Sequence, residues 1–238
     1  MKFLLILFTF ASITFVNAQN RATLENFRAD KAVCEAFAER SIVELKNGEL
    51  LVRLDFRQRE VDYHLSKGNS KEAEKLVNEQ HKINAFIIKA FRENYSFSSV
   101  HFFALKDSEH LVSGQFDSIT FYTTSFEIDS TFRPNNGSYL IAEFGRTRQD
   151  TIAYYNDNVP NTSKENPKQK SYYGGGKNAR NALIVMDRAF NQIREPFPYF
   201  AGYSQINSLK NRFGGAVMRL DYGLHRYFVE VYQLEGTD

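Results

Sequence analysis

Apolar and polar positions change period several times along this chain, and each change marks an element. The run Ala182-Leu183-Ile184-Val185-Met186 puts five apolar residues in a row between Asn181 and Asp187. Such a run, bounded by turn residues, predicts a strand covered on both faces. The polar stretch Asp187 to Asn191 turns the chain, and Gln192-Ile193 begins a return strand. Pro196 and Pro198 end that ladder, because neither can donate a backbone hydrogen bond. Phe197, Tyr199 and Phe200 then pack over the end of the hairpin.

Upstream, Leu24, Phe27, Val33, Ala36 and Phe37 form a helical stripe, which predicts a helix over Arg21 to Glu39. Ile42 to Leu45 and Leu50 to Leu54 flank Lys46-Asn47-Gly48-Glu49. Asn-Gly tolerates the positive φ angles of a type I′ turn, so the pair reads as a β-hairpin. Asp55, three residues before Gln58, suits a capping box that opens a helix to about Ser66. Gly68 closes it in the left-handed conformation. Asn69 or Ser70 caps a second helix to about Asn94, striped by Ala73, Leu76, Val77, Ile83, Ile87, Ala90 and Phe91. Val100 to Leu105 is the next strand. The helical crossover from Leu50 is long enough to bring it back parallel to the first.

Short strands follow at Leu111-Val112, Ser118 to Tyr122 and Ser125 to Ile128. A turn lies at Arg133 to Gly137, and a further strand runs from Tyr139 to Phe144. Asp150 to Arg180 is rich in Pro, Asn, Lys, Ser and Gly, and reads as a long surface loop. Gly202 to Gly215 is a polar connection with room for one helical turn. Val217, Leu220, Leu224, Tyr227, Phe228, Val231 and Leu234 recur at three and four, which predicts a C-terminal amphipathic helix. Gly223 weakens it by about 1 kcal/mol. Two strands, Ala216 to Tyr222 and Tyr227 to Tyr232, are the alternative. The whole pattern predicts one α+β (or α/β) domain over residues 19–238, with a mixed sheet and helices packed on it.

The first eighteen residues change the picture of where this domain works. Lys2, the apolar runs Phe3 to Phe8 and Phe10 to Val16, and the small-x-small site Val16-Asn17-Ala18 have the layout of a secretory signal peptide. Cleavage after Ala18 would release a periplasmic or secreted protein beginning at Gln19. The apolar run is too short to span a bilayer, and no later run approaches that length. The net charge of +2 argues against a general nucleic-acid or membrane-surface binder. Aromatic residues make up 15% of the chain, enough for a substantial core. Cys34 is the only cysteine, so no internal disulfide can form; Val33 and Ala36 around it mark it as a small buried hydrophobe.

Reactive constellations are scarce. Gly174-Gly175-Gly176-Lys177 departs from a phosphate-binding loop: Ser171 and Asn178 stand at required positions, and the strand follows the glycines instead of preceding them. Gly202-Tyr203-Ser204-Gln205-Ile206 lacks the second glycine of a nucleophile elbow and has no clear strand before it. His64, His81, His101, His110 and His225 have no ligand spacing, so no metal or other cofactor is implied. Carboxylates are scattered, and no acid/base pair stands out. The basic residues Lys164, Lys168, Lys170, Lys177 and Arg180 interleave with Tyr172 and Tyr173. That mixture suits binding to acidic polymers or glycans by charge and stacking. Tyr172, Tyr173, Lys177 and Arg180 are therefore the candidate partner-binding residues; a solvated loop is the plainer account of them.

Asp117-Ser118-Ile119, Asp129-Ser130-Thr131 and Asp150-Thr151-Ile152 are similar to the O-glycosylation sequon of periplasmic proteins in the Bacteroidota. The order Asn-Gly hairpin, helical pair, Val-His-Phe-Phe, Tyr-Leu-Ile-Ala-Glu-Phe, Ala-Leu-Ile-Val-Met-Asp and Pro-Phe-Pro-Tyr resembles a family of uncharacterised exported proteins of the same phylum. That resemblance implies a location and a shared fold, and transfers no site residue. The element order also resembles the thioredoxin fold with a long insertion, but the Cys-x-x-Cys motif and its dithiol chemistry are missing. The expected function is a non-catalytic envelope module binding another protein or a glycan. The alternatives are a glycan hydrolase with a carboxylate site and a redox-inactive thioredoxin-like binding module.

Overall fold

The computed structural model of the chain describes residues 31–135, 138–147, 152–155, 170–173 and 179–235, with backbone alone at 152–155, 170–173 and 234–235. The expectations on residues 1–18 fall outside this range. The sheet is built on β1 (Glu49–Leu54), which has a parallel neighbour on each side: β2 (Ser99–Ala104) and β4 (Tyr139–Arg146). Antiparallel strands complete it: β3 (Phe121–Tyr122) outside β2, and β7 (Asn181–Met186) then β8 (Phe200–Gly202) beyond β4. The strand order is β3-β2-β1-β4-β7-β8, a mixed sheet in an α+β fold. A separate antiparallel ribbon, β5 (Ile152–Tyr155) and β6 (Lys170–Tyr173), lies between β4 and β7 in sequence.

The period of two along each strand sends alternate residues to opposite faces. Leu50, Val52, Leu54, Phe102, Leu140, Ala142, Leu183 and Val185 face three helices. These are α1 (31–47), α3 (Ser70–Asn94) and α5 (Leu209–Glu235). Their buried stripes are Ala38-Ile42-Leu45, Ile87-Ala90-Phe91 and Phe213-Val217-Leu220-Leu224-Val231. Each fully buried Leu, Ile or Phe contributes about 1.5–3 kcal/mol, so this layer dominates the fold's stability. Leu51, Phe103, Ile141, Ala182, Ile184 and Met186 face the other way. That face is closed by the segment 105–135, which carries α4 (Ser108–Val112) and supplies Leu111, Ile119 and Phe132. Helix α2 (Gln58–Ser66) packs Val61 on Ala73 and Leu76 of α3, a small satellite cluster.

The parallel return of β2 onto β1, the all-buried β7 and the C-terminal helix agree with the hydrophobic pattern. Gly68 has φ +74°, the left-handed closure expected of it. The Asn47-Gly48 hairpin does not form. Helix α1 continues through Ile42 to Asn47 and β1 starts directly after it. Ile42-Val43-Glu44-Leu45 is β-branched in part, but Ala38, Ile42 and Leu45 make a helical stripe that tertiary burial enforces. Val33 and Ala36, placed on the buried stripe from sequence, are exposed, and Cys34 is half-buried. No capping box forms at α2. Arg57 takes the N-cap position in the left-handed region at φ 50°, and Asp55 Oδ1 accepts from the Arg57 N–H at 2.7 Å.

Leu111-Val112 is helical and Ser118 falls in a 3₁₀ turn. Of Ser125 to Ile128 only Ile128 pairs, through a single bridge to Tyr122. The stretch read as a loop over Asp150 to Arg180 contains the β5–β6 ribbon. The return from β7 bridges Met186 to Gln192, leaves the ladder around the cis Glu195–Pro196 peptide, and rejoins it at Phe200. The prolines therefore interrupt the ladder instead of ending it. α5 begins at Leu209, inside the stretch read as a polar connection.

Candidate functional site

In sheets with parallel strands, the carboxyl ends of those strands leave a crevice, because the chain turns away into helices there. This fold has such an edge. A cleft of about 380 Å³ opens where β1, β2 and β4 end, within the size range of small-molecule sites. Arg53, Asp55, Leu105, Glu143 and Phe144 come from the strand ends. α3 contributes Gln80, Ile83, Asn84 and Ile87, and the β8–α5 junction contributes Tyr203, Leu209, Arg212 and Phe213. One wall is aromatic: the Phe144 ring centroid lies 4.7 Å from that of Phe213 and 5.7 Å from that of Tyr203.

The polar groups fall into three sets. Asn84 is fully buried on α3; its Nδ2 donates to Asp55 O at 2.8 Å and its Oδ1 accepts from Gln80 Nε2 at 3.1 Å. That pair ties the turn after β1 to α3. Arg53 and Glu143 stand directly opposite in the β1–β4 register and form an ion pair, with Arg53 Nη1 also donating to Ser108 Oγ at 3.4 Å. The Phe190 ring lies 4.7 Å from the Arg53 guanidinium carbon. Arg212 donates from Nη2 to the backbone oxygens of Gln205 and Asn207. The Nε of Arg53 and the Nε of Arg212 are buried without a hydrogen-bond partner. Burial raises the Tyr203 pKa above its ordinary value, with Arg212 pulling the other way. The two carboxylates are engaged: Glu143 by Arg53, and Asp55 by the Arg57 N–H.

A serine, a histidine and an aspartate meet elsewhere. Ser96 Oγ is 3.2 Å from both Asp221 Oδ2 and His225 Nε2. A hydrolytic triad needs the carboxylate on the histidine nitrogen remote from the serine. Here Asp221 approaches the same Nε2, at 3.8 Å, and bonds the backbone N–H groups of Ser96 and Phe97. The arrangement fastens the α3–β2 turn to α5. His101 stacks on Phe132 with ring centroids 3.6 Å apart, and its Nε2 lies 3.9 Å from Asp129 Oδ2. Among the described residues no group of three or more metal-ligating side chains occurs.

Tyr172 and Tyr173 lie on β6, opposite Ala153 and Ile152. Lys177 and the glycine run before it lie outside the described residues. Arg180 is exposed and pairs through its backbone with Thr147. A strand, β8, does precede Ser204, contrary to the sequence reading, and α5 follows. The exposed Ser204 Oγ accepts from the Ile206 N–H at 3.3 Å, an ordinary turn contact. Ser118 and Ser130 are exposed on the 105–135 segment, and Thr151 lies outside the described residues.

None of the cleft residues stands out as a motif, because they lie far apart in sequence. One signal was available: Gln80 and Asn84 interrupt the stripe Ala73, Leu76, Ile87 and Phe91 where apolar residues are expected. Two amides on a buried helical face mark a polar junction. Val77, placed on that stripe from sequence, is exposed instead. Among the described residues no helix is long and apolar enough to cross a membrane. Comparison with family models, with curated proteins and with solved structures returns no match.

Proposed function

We propose that this is an exported envelope protein that acts as a non-catalytic binding module, with the strand-end cleft as its binding site. The cleft carries this reading. It joins apolar walls to a few fixed polar groups, the make-up of a recognition site. The ion pair of Glu143 with Arg53 supports binding over hydrolysis driven by that carboxylate, since a general acid or base must be free to meet its substrate. Export rests on the signal-like N-terminus.

A thermal-shift screen of envelope glycans and small metabolites tests the site. Ligands that raise the melting temperature of the wild type, and fail to do so for Leu209→Trp, which fills the cleft, support the reading. A glycan cleaved by the wild type and left intact by Glu143→Gln replaces it with the hydrolase. Recovery of the chain in the cytoplasmic fraction with Met1 still at its N-terminus would remove export.

A second reading, a redox-inactive thioredoxin-like binding module, is favoured by one observation. β1 and β7 belong to one sheet, β2 is parallel to β1, and α5 follows the β7–β8 hairpin. β4 stands between β1 and β7, a departure from the half-and-half arrangement expected from the element order. Fold likeness carries no activity of its own.

A further inference from the structure

We propose that the cleft receives a small organic oxyanion, its acidic group on Arg212 and its apolar body along Phe144, Phe213 and Ile87. The inference rests on the cleft being the binding site, and adds the class of ligand. Arg212 projects from the first turn of α5 into the cleft lining. Its hydrogen-bond partners among the described residues are carbonyl oxygens alone, from Gln205 and Asn207. Among the described residues no carboxylate forms an ion pair with it, and its Nε finds no acceptor. Arg53 lines the same cleft and its Nε is also unmet, but its charge is already offset by Glu143. Of the two arginines in the described lining, Arg212 is therefore the one without an ion-pair partner among the described residues. A half-buried guanidinium with an unmet N–H gains from an oxygen that brings negative charge. The aromatic wall beside it, Phe144 edge-on to Phe213 at 69°, takes the apolar remainder of such a ligand. Carboxylates and phosphate monoesters both present the paired oxygens that a guanidinium matches.

The test is a ¹⁵N chemical-shift titration of the wild-type protein with octanoate, octyl phosphate, octanol and acetate. The two octyl anions are expected to shift the amides of Leu209 to Phe213 and Phe144, and to bind roughly tenfold or more tightly than octanol. The tighter of the two identifies a carboxylate or a phosphate source. Acetate, with no apolar body, is expected to bind more weakly than octanoate. Arg212→Gln should lose roughly tenfold in affinity for the anions and leave octanol unchanged, with Arg212→Lys recovering part of the loss. Octanol binding as tightly as the anions, or Arg212→Gln leaving their affinity intact, overturns the oxyanion and leaves the cleft standing. No shift at any cleft amide overturns both. Should Arg212→Gln fail to fold, salt decides on the wild type: anion affinity must fall between 20 mM and 500 mM NaCl while octanol affinity does not.

Discussion

Gly48 shows why a local rule can name the right residue for the wrong reason. Asn47-Gly48 has the chemistry of a hairpin turn, yet α1 runs through Asn47 and Gly48 meets a backbone from far along the chain. A Cβ built there would sit 1.8 Å from Ser138 O and 2.7 Å from the Ser138 carbonyl carbon. The neighbouring Glu49 N–H donates to that same oxygen at 3.0 Å, so the carbonyl is held in place. Nothing in residues 42–54 reveals a partner at 138. Gly68 is the opposite case: φ is +74°, nothing lies within 4 Å of a built Cβ, and the helix break was legible from Lys67-Gly68-Asn69. The two glycines give a contrast. Gly48→Ala should cost about 3 kcal/mol or more, because a backbone group cannot step aside cheaply. Gly68→Ala should cost only about 1–2 kcal/mol, the left-handed penalty of a side chain. Urea unfolding of both variants measures the difference, and equal losses would remove the close-approach account.

Elements were legible where burial follows one period and illegible where a distant contact decides. β7 reads directly from Ala182 to Met186, and the core stripe of α5 from Val217, Leu220, Leu224 and Val231. Within 105–135 the strand expected over Ser118 to Tyr122 is kept only at Phe121–Tyr122, and Leu111-Val112 is helical, because elements this short carry little pattern of their own. α5 also carries a residue whose role only the fold reveals. Asp221, on its more solvent-facing side, accepts from Ser96 N at 2.7 Å and Phe97 N at 3.0 Å, and so satisfies two donors left open where α3 gives way to β2. The contact spans 124 positions, and next to His225 and Ser96 it mimics a catalytic group while acting as a fastener. Removing the shared acceptor leaves two N–H groups unmet, that of Phe97 partly buried. Asp221→Ala should therefore lose about 1.5–3 kcal/mol of stability, while Ser96→Ala, which removes one exposed hydroxyl, loses under about 1 kcal/mol. Chemical denaturation of the two variants checks this. Equal, small losses would remove the fastener account of Asp221.

At the scale of the whole molecule, the two faces of the sheet are closed by different means, and this makes one of them sensitive to acid. Three long helices cover the first face with an apolar layer. The second is closed by the 105–135 segment, and His101 of β2 takes part in that closure, its ring stacked on Phe132 of that segment. Burial lowers the pKa of His101 below its ordinary value; Asp129, 3.9 Å away, raises it by less. Its Nδ1 is buried without a partner, which fits an imidazole kept neutral in the native state. The native chain thus takes up this proton less readily than the unfolded chain, whose histidine titrates near about 6.5. The stability tied to a neutral His101 is complete above that value. It declines as the pH falls below it, where the unfolded state is protonated first. His101→Gln cannot bind the proton, so it lacks this part of the acid response. Urea unfolding from pH 7.5 down to pH 5 should show the wild type losing stability faster than His101→Gln, with the gap between them narrowing or reversing in acid. Parallel curves would mean that His101 packs against Phe132 without being coupled to protonation. A wild type that gains on the variant in acid would mean that the Asp129 attraction outweighs burial.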